Sequence, residues 1–277
     1  DDEFAKCLVL KTDGEFKTII DTRQWLKWNG RYWESDKRNT IHEKLLELKR
    51  DLIKKGEERK HDALIVRSSS LGNDSKSNSI INEAFKIAGN HKINDSDLND
   101  NPQLLNLING TLDLSKFEFR EHRKEDLITE LNNIEYNPEA EADKWDEFLQ
   151  QTFNGDEELI RYLQIFFGYI LTGETKEHKL LYFYGTGANG KSTFINTIRK
   201  VSGSYATNLP SEHFMRNSGS NADLVERTKA RLVGKRLGIV SEISIDRTFN
   251  EALIKELVSG DIVTARHIQQ RAFEYKP

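Results

Sequence analysis

Cysteine is all but absent: Cys7 is the single one in 277 residues. One thiol can form neither an internal disulfide nor a cysteine zinc cluster, which fits a reducing, cytoplasmic compartment. Cys7 itself reads as a lone packing residue. Long apolar runs are missing too. No stretch is long enough to span a bilayer as a helix, and the acidic start Asp1-Asp2-Glu3 carries no signal-peptide pattern. Neither sign of charge dominates, with 41 Lys and Arg against 45 Asp and Glu and a net charge of −4. The charged fraction of 31% and mean hydropathy of −0.67 predict a water-soluble chain. A nucleic-acid partner would therefore have to use a local basic patch instead of the overall field. No internal repeat or low-complexity tract is visible, and no paired acids suggest nucleotidyl transfer. The first residue is not Met, so a fragment of a longer protein is expected. The length allows one large or two ordinary domains with ample core.

What is present begins with Gly185-Thr-Gly-Ala-Asn-Gly-Lys191-Ser192, a complete match to the phosphate-binding pattern G-x-x-x-x-G-K-[ST]. Such a loop turns backbone N–H groups toward a chain of phosphates, and glycine stands where a side chain would block the approach. The predicted nucleotide-binding residues are Gly185, Thr186, Gly187, Ala188, Asn189, Gly190, Lys191, Ser192 and Thr193. Lys191 supplies charge to the β/γ-phosphates, and the Ser192 hydroxyl is a ligand for Mg²⁺. Both flanks agree. Lys179 to Tyr184 is a short apolar, aromatic run that predicts a buried strand. Phe194, Ile195, Ile198 and Val201 recur at helical spacing before Gly203, a stop. ATP with Mg²⁺ is the expected cofactor pair.

The first third predicts a mixed α/β segment, with short strands between Phe4 and Ile20 around the Asp13-Gly14 turn. Trp25, Trp28, Tyr32 and Trp33 surround Asn29-Gly30 and could stack bases, but core is the favoured reading. Ile41, Leu45, Leu48, Leu52 and Ile53 predict an amphipathic helix ending near Gly56. A polar loop over residues 68–79 and a helix from Ile80 to Ala88 are predicted next. Asn109-Gly110 between two apolar runs is a hairpin signal, because both turn residues are expected at positive φ. A polar, Glu-rich junction over residues 138–143 suggests a boundary. Trp145, Phe148, Leu149 and Phe153 form one helix face. Leu159 to Leu171 is apolar nearly all round, so burial in a bundle or between subunits is predicted.

Beyond the loop, the apolar run from Arg236 ends in Glu242, placed to polarise a water, hold Mg²⁺ through one, or do both. Asp246 lies past the strand and is a poorer candidate. Phe249 to Val258 predicts a helix. Residues 262–275 predict a two-stranded hairpin whose Arg266, His267 and Arg271 near the tip could reach phosphates.

Taken in order, five segments resemble the phage/plasmid primase-helicase family. They are Asn106 to Leu114, Gly168 to Gly173, Gly185 to Thr193, Arg236 to Glu242 and Lys255 to Arg266. That family is a branch of the superfamily 3 helicases with poxvirus-type relatives. The resemblance covers roughly residues 100–277. It implies an AAA+ ATPase that forms a ring, usually a hexamer, and moves along single-stranded or forked DNA to open an origin or fork of a phage, plasmid or other mobile element. It makes Glu242 the Walker B acid, catalytic beside Lys191, and assigns Arg266, His267 and Arg271 to DNA. The implied fold class is α/β: a mixed α/β N-terminal domain (1–138), a helical collar (139–175) and a P-loop AAA+ core (176–277).

Two features depart from the family. Its sensor strand and arginine finger would come after the hairpin, and the chain stops at Pro277. Nucleotide binding with poor turnover is therefore expected. Two rivals stay open: an initiator or assembly module that binds DNA without unwinding it, and a P-loop ATPase acting on protein partners. A small-molecule kinase fits least, because no acceptor pocket or lid can be read.

Overall fold

The computed structural model describes residues 1–37, 39–216, 222–241, 248–266 and 272–277. It divides into a first unit of residues 1–100 with 123–129, and a second of residues 101–122 with 130–277.

The first unit opens with helix α1 (Asp2–Lys11), where short strands were expected. Phe4, Ala5 and Leu8 are all buried. A strand would turn Ala5 away from its neighbours, whereas a helix gathers all three on one stripe. Asp2 and Glu3 in the first turn and Lys11 in the last complement the helix dipole. Strands β1 (Phe16–Ile19), β2 (Gln24–Trp28), β3 (Trp33–Ser35) and, later in sequence, β4 (Lys92–Ile93) form a sheet in the order β3-β2-β1-β4. Gly30, at φ +94°, turns the β2–β3 hairpin and pairs Trp28 with Trp33. Trp25 meets Phe16 and Phe85 edge-on, and Trp33 is 1% exposed, so these tryptophans serve the core.

Helices α2 (Thr40–Glu58), α3 (Asp62–Ser69) and α4 (Asp74–Ile87) complete the unit. Asp36 starts α2 by accepting from the backbone N–H groups of Thr40 (2.7 Å) and Ile41 (2.9 Å). Gly56 does not stop α2. A Cβ there would lie 2.6 Å from Ile65 Cγ1, so this glycine is the close approach to α3. The polar loop predicted over 68–79 shrinks, because Asn73 caps α4 through Ser75 N–H and draws residues 74–79 into the helix.

The second unit begins with a sheet of β5 (Leu104–Leu107), β6 (Gly110–Asp113) and β7 (Glu118–Arg120). The predicted hairpin is there, displaced by one residue: Leu107 pairs with Gly110, so the turn is Ile108-Asn109. Gly110 is not at positive φ. A Cβ on it would lie 2.5 Å from the Arg120 carbonyl oxygen and 2.6 Å from Phe119 Cζ, so it admits β7. Asn109 instead pairs both ways with the backbone of Tyr136, at 2.9 Å each.

Helices α5 (Asp143–Thr152), α6 (Glu157–Leu171) and α7 (Lys191–Ser202) come next. Burial of α6 on nearly all sides is not observed. Leu163 is buried, while Leu159, Tyr162 and Ile165 are 39%, 44% and 58% exposed, because the described residues cover one side of the helix. The strand predicted before the glycine loop is likewise not formed. Residues 179–184 make no ladder with any described strand, and Leu180, Tyr182 and Tyr184 stay exposed. Hydrophobicity cannot make a strand without an edge to pair with.

The chain continues through β8 (Ala206–Leu209), α8 (Ala222–Ala230), β9 (Leu237–Val240), α9 (Glu251–Val258), β10 (Val263–Arg266) and β11 (Ala272–Tyr275). Strands β8 and β9 pair in parallel, and β10 pairs with β11 as the expected hairpin. The architecture is mixed α/β, built from several small sheets.

Candidate nucleotide site

The glycine loop leads directly into α7, whose first residue is Lys191. Gly185, Gly187, Ala188 and Gly190 all take positive φ, at 154°, 99°, 49° and 79°. A Cβ on Gly187 would meet nothing within 4 Å, so its glycine serves the backbone bend. At Gly190 a Cβ would lie 2.9 Å from Thr152 Oγ1, so there the glycine also lets α5 approach.

The N-terminus of α7 suits an anion. No side chain caps it, and no acid lies in its first turn, while Arg199 and Lys200 occupy the last. Its N–H groups and the positive end of its dipole are thus left for a phosphate. Lys191 Nζ donates to Asn189 Oδ1 (2.7 Å) and to the Gly185 carbonyl (3.1 Å), which folds the ammonium back over the loop. Ser192 and Thr193 are exposed in the same turn. A bend of positive-φ residues, an uncapped helix N-terminus and a lysine over the loop fit a triphosphate.

Phe194 seats this helix. It is 2% exposed and packs against Trp145 (5.5 Å between ring centroids), Phe167 (5.4 Å), Phe183 (5.6 Å) and Phe153 (5.8 Å). At the other end of α7, buried Asn132 donates to the Val201 carbonyl at 2.6 Å. Its own backbone N–H donates to the Asn106 carbonyl, at 2.9 Å. The N–H of Asn106 in turn donates to the Tyr205 hydroxyl at 3.2 Å, and its side-chain oxygen accepts from Thr111 at 3.0 Å. The β5–β7 sheet is thereby tied to the end of the loop helix. A polar residue inside the apolar run of β5 was the available sequence signal for Asn106.

The other predicted residues divide. Arg266 closes β10, and its Nε pairs with Glu226 of α8 at 3.0 Å. Tyr275, on the partner strand, donates its hydroxyl to the Lys229 carbonyl at 2.6 Å. Burial, reinforced by Glu256, pushes its phenol well above the usual range. Glu242, Asp246, His267 and Arg271 lie outside the described residues. Among the described residues, no cluster of three or more His, Cys, Asp or Glu side chains could hold a metal ion. No described helix is long and apolar enough to cross a membrane.

Comparison with known proteins adds ancestry to this geometry. Residues 5–154 match the family described as D5 N terminal like. Residues 183–277, which contain the glycine loop, match a family of unknown function. The chain is 31% identical over 192 residues to a protein of Invertebrate iridescent virus 6 named provisionally as a helicase, 184R; the alignment covers 67% of this chain and 20% of that protein. It is 25% identical over 218 residues to another provisionally named helicase, L207/L206 of Acanthamoeba polyphaga mimivirus, covering 75% of this chain and 22% of that one. With C962R of African swine fever virus (isolate Tick/Malawi/Lil 20-1/1983), provisionally named a primase, it shares 27% over 180 residues, covering 63% and 19%. The chain spans about a fifth of the length of the curated relatives it matches.

Proposed function

This chain belongs to the D5 N terminal like family, and on that premise we propose that it is the nucleotide-binding part of a DNA-replication helicase of the superfamily 3, AAA+ type. The observation that carries this reading is the uncapped start of α7 behind the positive-φ loop of residues 185–190. Relatives with helicase and primase names support its placement in replication.

In this reading the backbone N–H groups of residues 185–193 bind the phosphates of ATP. Lys191 leaves Asn189 for the β/γ-phosphates, where it neutralises developing charge. Mg²⁺, held by Ser192 and by Glu242, supplies further charge neutralisation when bound. Glu242 orients the attacking water. Arg266, His267 and Arg271 contact DNA phosphates, with Arg266 exchanging Glu226 for the backbone. The exposed stripe of Tyr162 and Ile165 on α6 is the face through which copies assemble, as a ring of six.

Fluorescent ATP titration tests the core of this proposal. Lys191→Ala is expected to weaken binding by about 10- to 100-fold, the scale of one lost charge-assisted contact. Equal affinity in the two proteins would sink the assignment. Salt-dependent binding to forked DNA, followed by strand displacement, separates a helicase from a DNA-binding initiator that does not unwind. An ATP-binding chain with no affinity for DNA would favour action on protein partners.

A further inference from the structure

Tyr184 stands immediately before the glycine loop and is 81% exposed. Burial alternates along residues 180–184: Leu180, Tyr182 and Tyr184 lie open, while Leu181 and Phe183 are half-buried. Phe183 faces the Phe194 ring of α7, 5.6 Å away between centroids. Successive side chains of an extended chain point to opposite sides, so the seat of Phe183 turns its neighbour outward.

Tyr184 is nonetheless ordered by other rings. It stacks with Tyr182, at 6.1 Å between centroids and 18° between planes. Tyr182 in turn meets Phe249, just before α9, edge-on at 5.9 Å and 89°. Three rings from two distant segments thus form a row, and Tyr184 is the end that joins the loop. Exposed aromatics scattered singly need no explanation, whereas a contiguous exposed row marks a binding surface.

What this row binds follows from where it is attached. One peptide bond separates Tyr184 from Gly185, and the Gly185 carbonyl accepts from Lys191 Nζ at 3.1 Å. The ring and the phosphate-binding lysine therefore share an anchor. The loop offers a triphosphate its backbone N–H groups and an ammonium, which suit phosphates and leave the base to be received outside it. Stacking requires only an accessible ring face, and Tyr184 supplies one at the loop's entry.

We infer that Tyr184, backed by Tyr182, is the nucleobase-stacking residue of the nucleotide site, giving ATP an affinity beyond that of its phosphates. The inference rests on the ATP-binding reading above. It distinguishes Tyr184 from a residue that only shapes the loop, because the expected damage is confined to ligands that carry a base.

The test sets ATP against inorganic tripolyphosphate, which carries the phosphates without a base. Both are titrated into the wild-type chain, Tyr184→Ala and Tyr184→Phe, beside a thermal melt. Tyr184→Ala is expected to weaken ATP about tenfold, the scale of one base–aromatic stack, and to leave tripolyphosphate within about twofold of wild type. Tyr184→Phe keeps the ring and should hold both ligands within about twofold. The triphosphate of 2-aminopurine riboside, whose fluorescence falls on stacking, should be quenched by the wild-type chain and by Tyr184→Phe but not by Tyr184→Ala. If Tyr184→Ala gives no cooperative melt, Tyr184→Leu makes the same comparison with an apolar side chain that has no ring. A ringless variant that keeps full ATP affinity overturns the inference alone, even where its affinity for single-stranded DNA has fallen. Equal losses for ATP and tripolyphosphate overturn it too, because they trace to the loop and not to the base. A wild-type chain that binds neither ligand overturns the nucleotide reading and this inference with it.

Discussion

Gly110 shows how a residue can suit a motif and do another job. Asn-Gly between apolar runs predicts a turn because glycine tolerates positive φ. In the structure the turn falls one residue earlier, and Gly110 instead leaves room for the Arg120 carbonyl and the Phe119 ring. Gly110→Ala should therefore destabilise the second unit by about 1–3 kcal/mol, the cost of overpacking. Urea denaturation of a double-mutant cycle with Phe119→Ala identifies the cause. Truncating the ring should recover part of the loss, whereas a penalty untouched by Phe119→Ala would assign the clash to the Arg120 carbonyl alone and remove the ring from the account. Lys191 is a residue of the opposite kind. Its neighbours in sequence name its chemistry, and its contacts with Asn189 and Gly185 arise within that same loop.

At the scale of the element, α7 joins a site to a core. Its ends are written locally, the start by the loop that precedes it and the stop by Gly203 at its C-cap. What holds it is an aromatic cluster drawn from α5, from α6 and from the segment before the loop, centred on Phe194. Phe194→Ala should cost about 3–5 kcal/mol, through lost burial and the cavity left behind. The denaturant midpoint should fall accordingly, with Phe194→Leu retaining more; a shift worth under about 1 kcal/mol would mean that the cluster does not seat the helix. Helical periodicity made Phe194 legible as an inward position. Its partners were not legible, because Trp145 and Phe167 belong to separate helices with periods of their own. The segment over 179–184 fails the opposite way. Its composition suits a strand, yet strand formation requires a neighbour with free backbone groups, and composition says nothing about neighbours.

For the molecule as a whole, α6 leaves apolar surface where the sequence pattern predicts burial. Tyr162 and Ile165 lie on one side of the helix with Phe166 and Tyr169 beside them, and Tyr162 and Ile165 are 44% and 58% exposed. Exposed apolar stripes of this kind mark contact surfaces. Ile165→Glu should abolish self-association in sedimentation velocity. Its effect on the melt should be small, within about 0.5 kcal/mol for an exposed site. A wild-type chain that remains monomeric at tens of micromolar would remove α6 as an assembly face.

The sequence alone determined what lies within a few residues of itself. The glycine loop, the helix it opens, the α9 helix and the β10–β11 hairpin arise from local periodicity and turn chemistry. Tertiary structure decided the joins. Asn106 reaches Tyr205 across 99 positions, and Arg236 reaches Leu104 across 132. Nothing in a local pattern selects which buried carbonyl a distant guanidinium will find. That choice is made when desolvation forces every buried polar group to take a partner among those the fold has brought near.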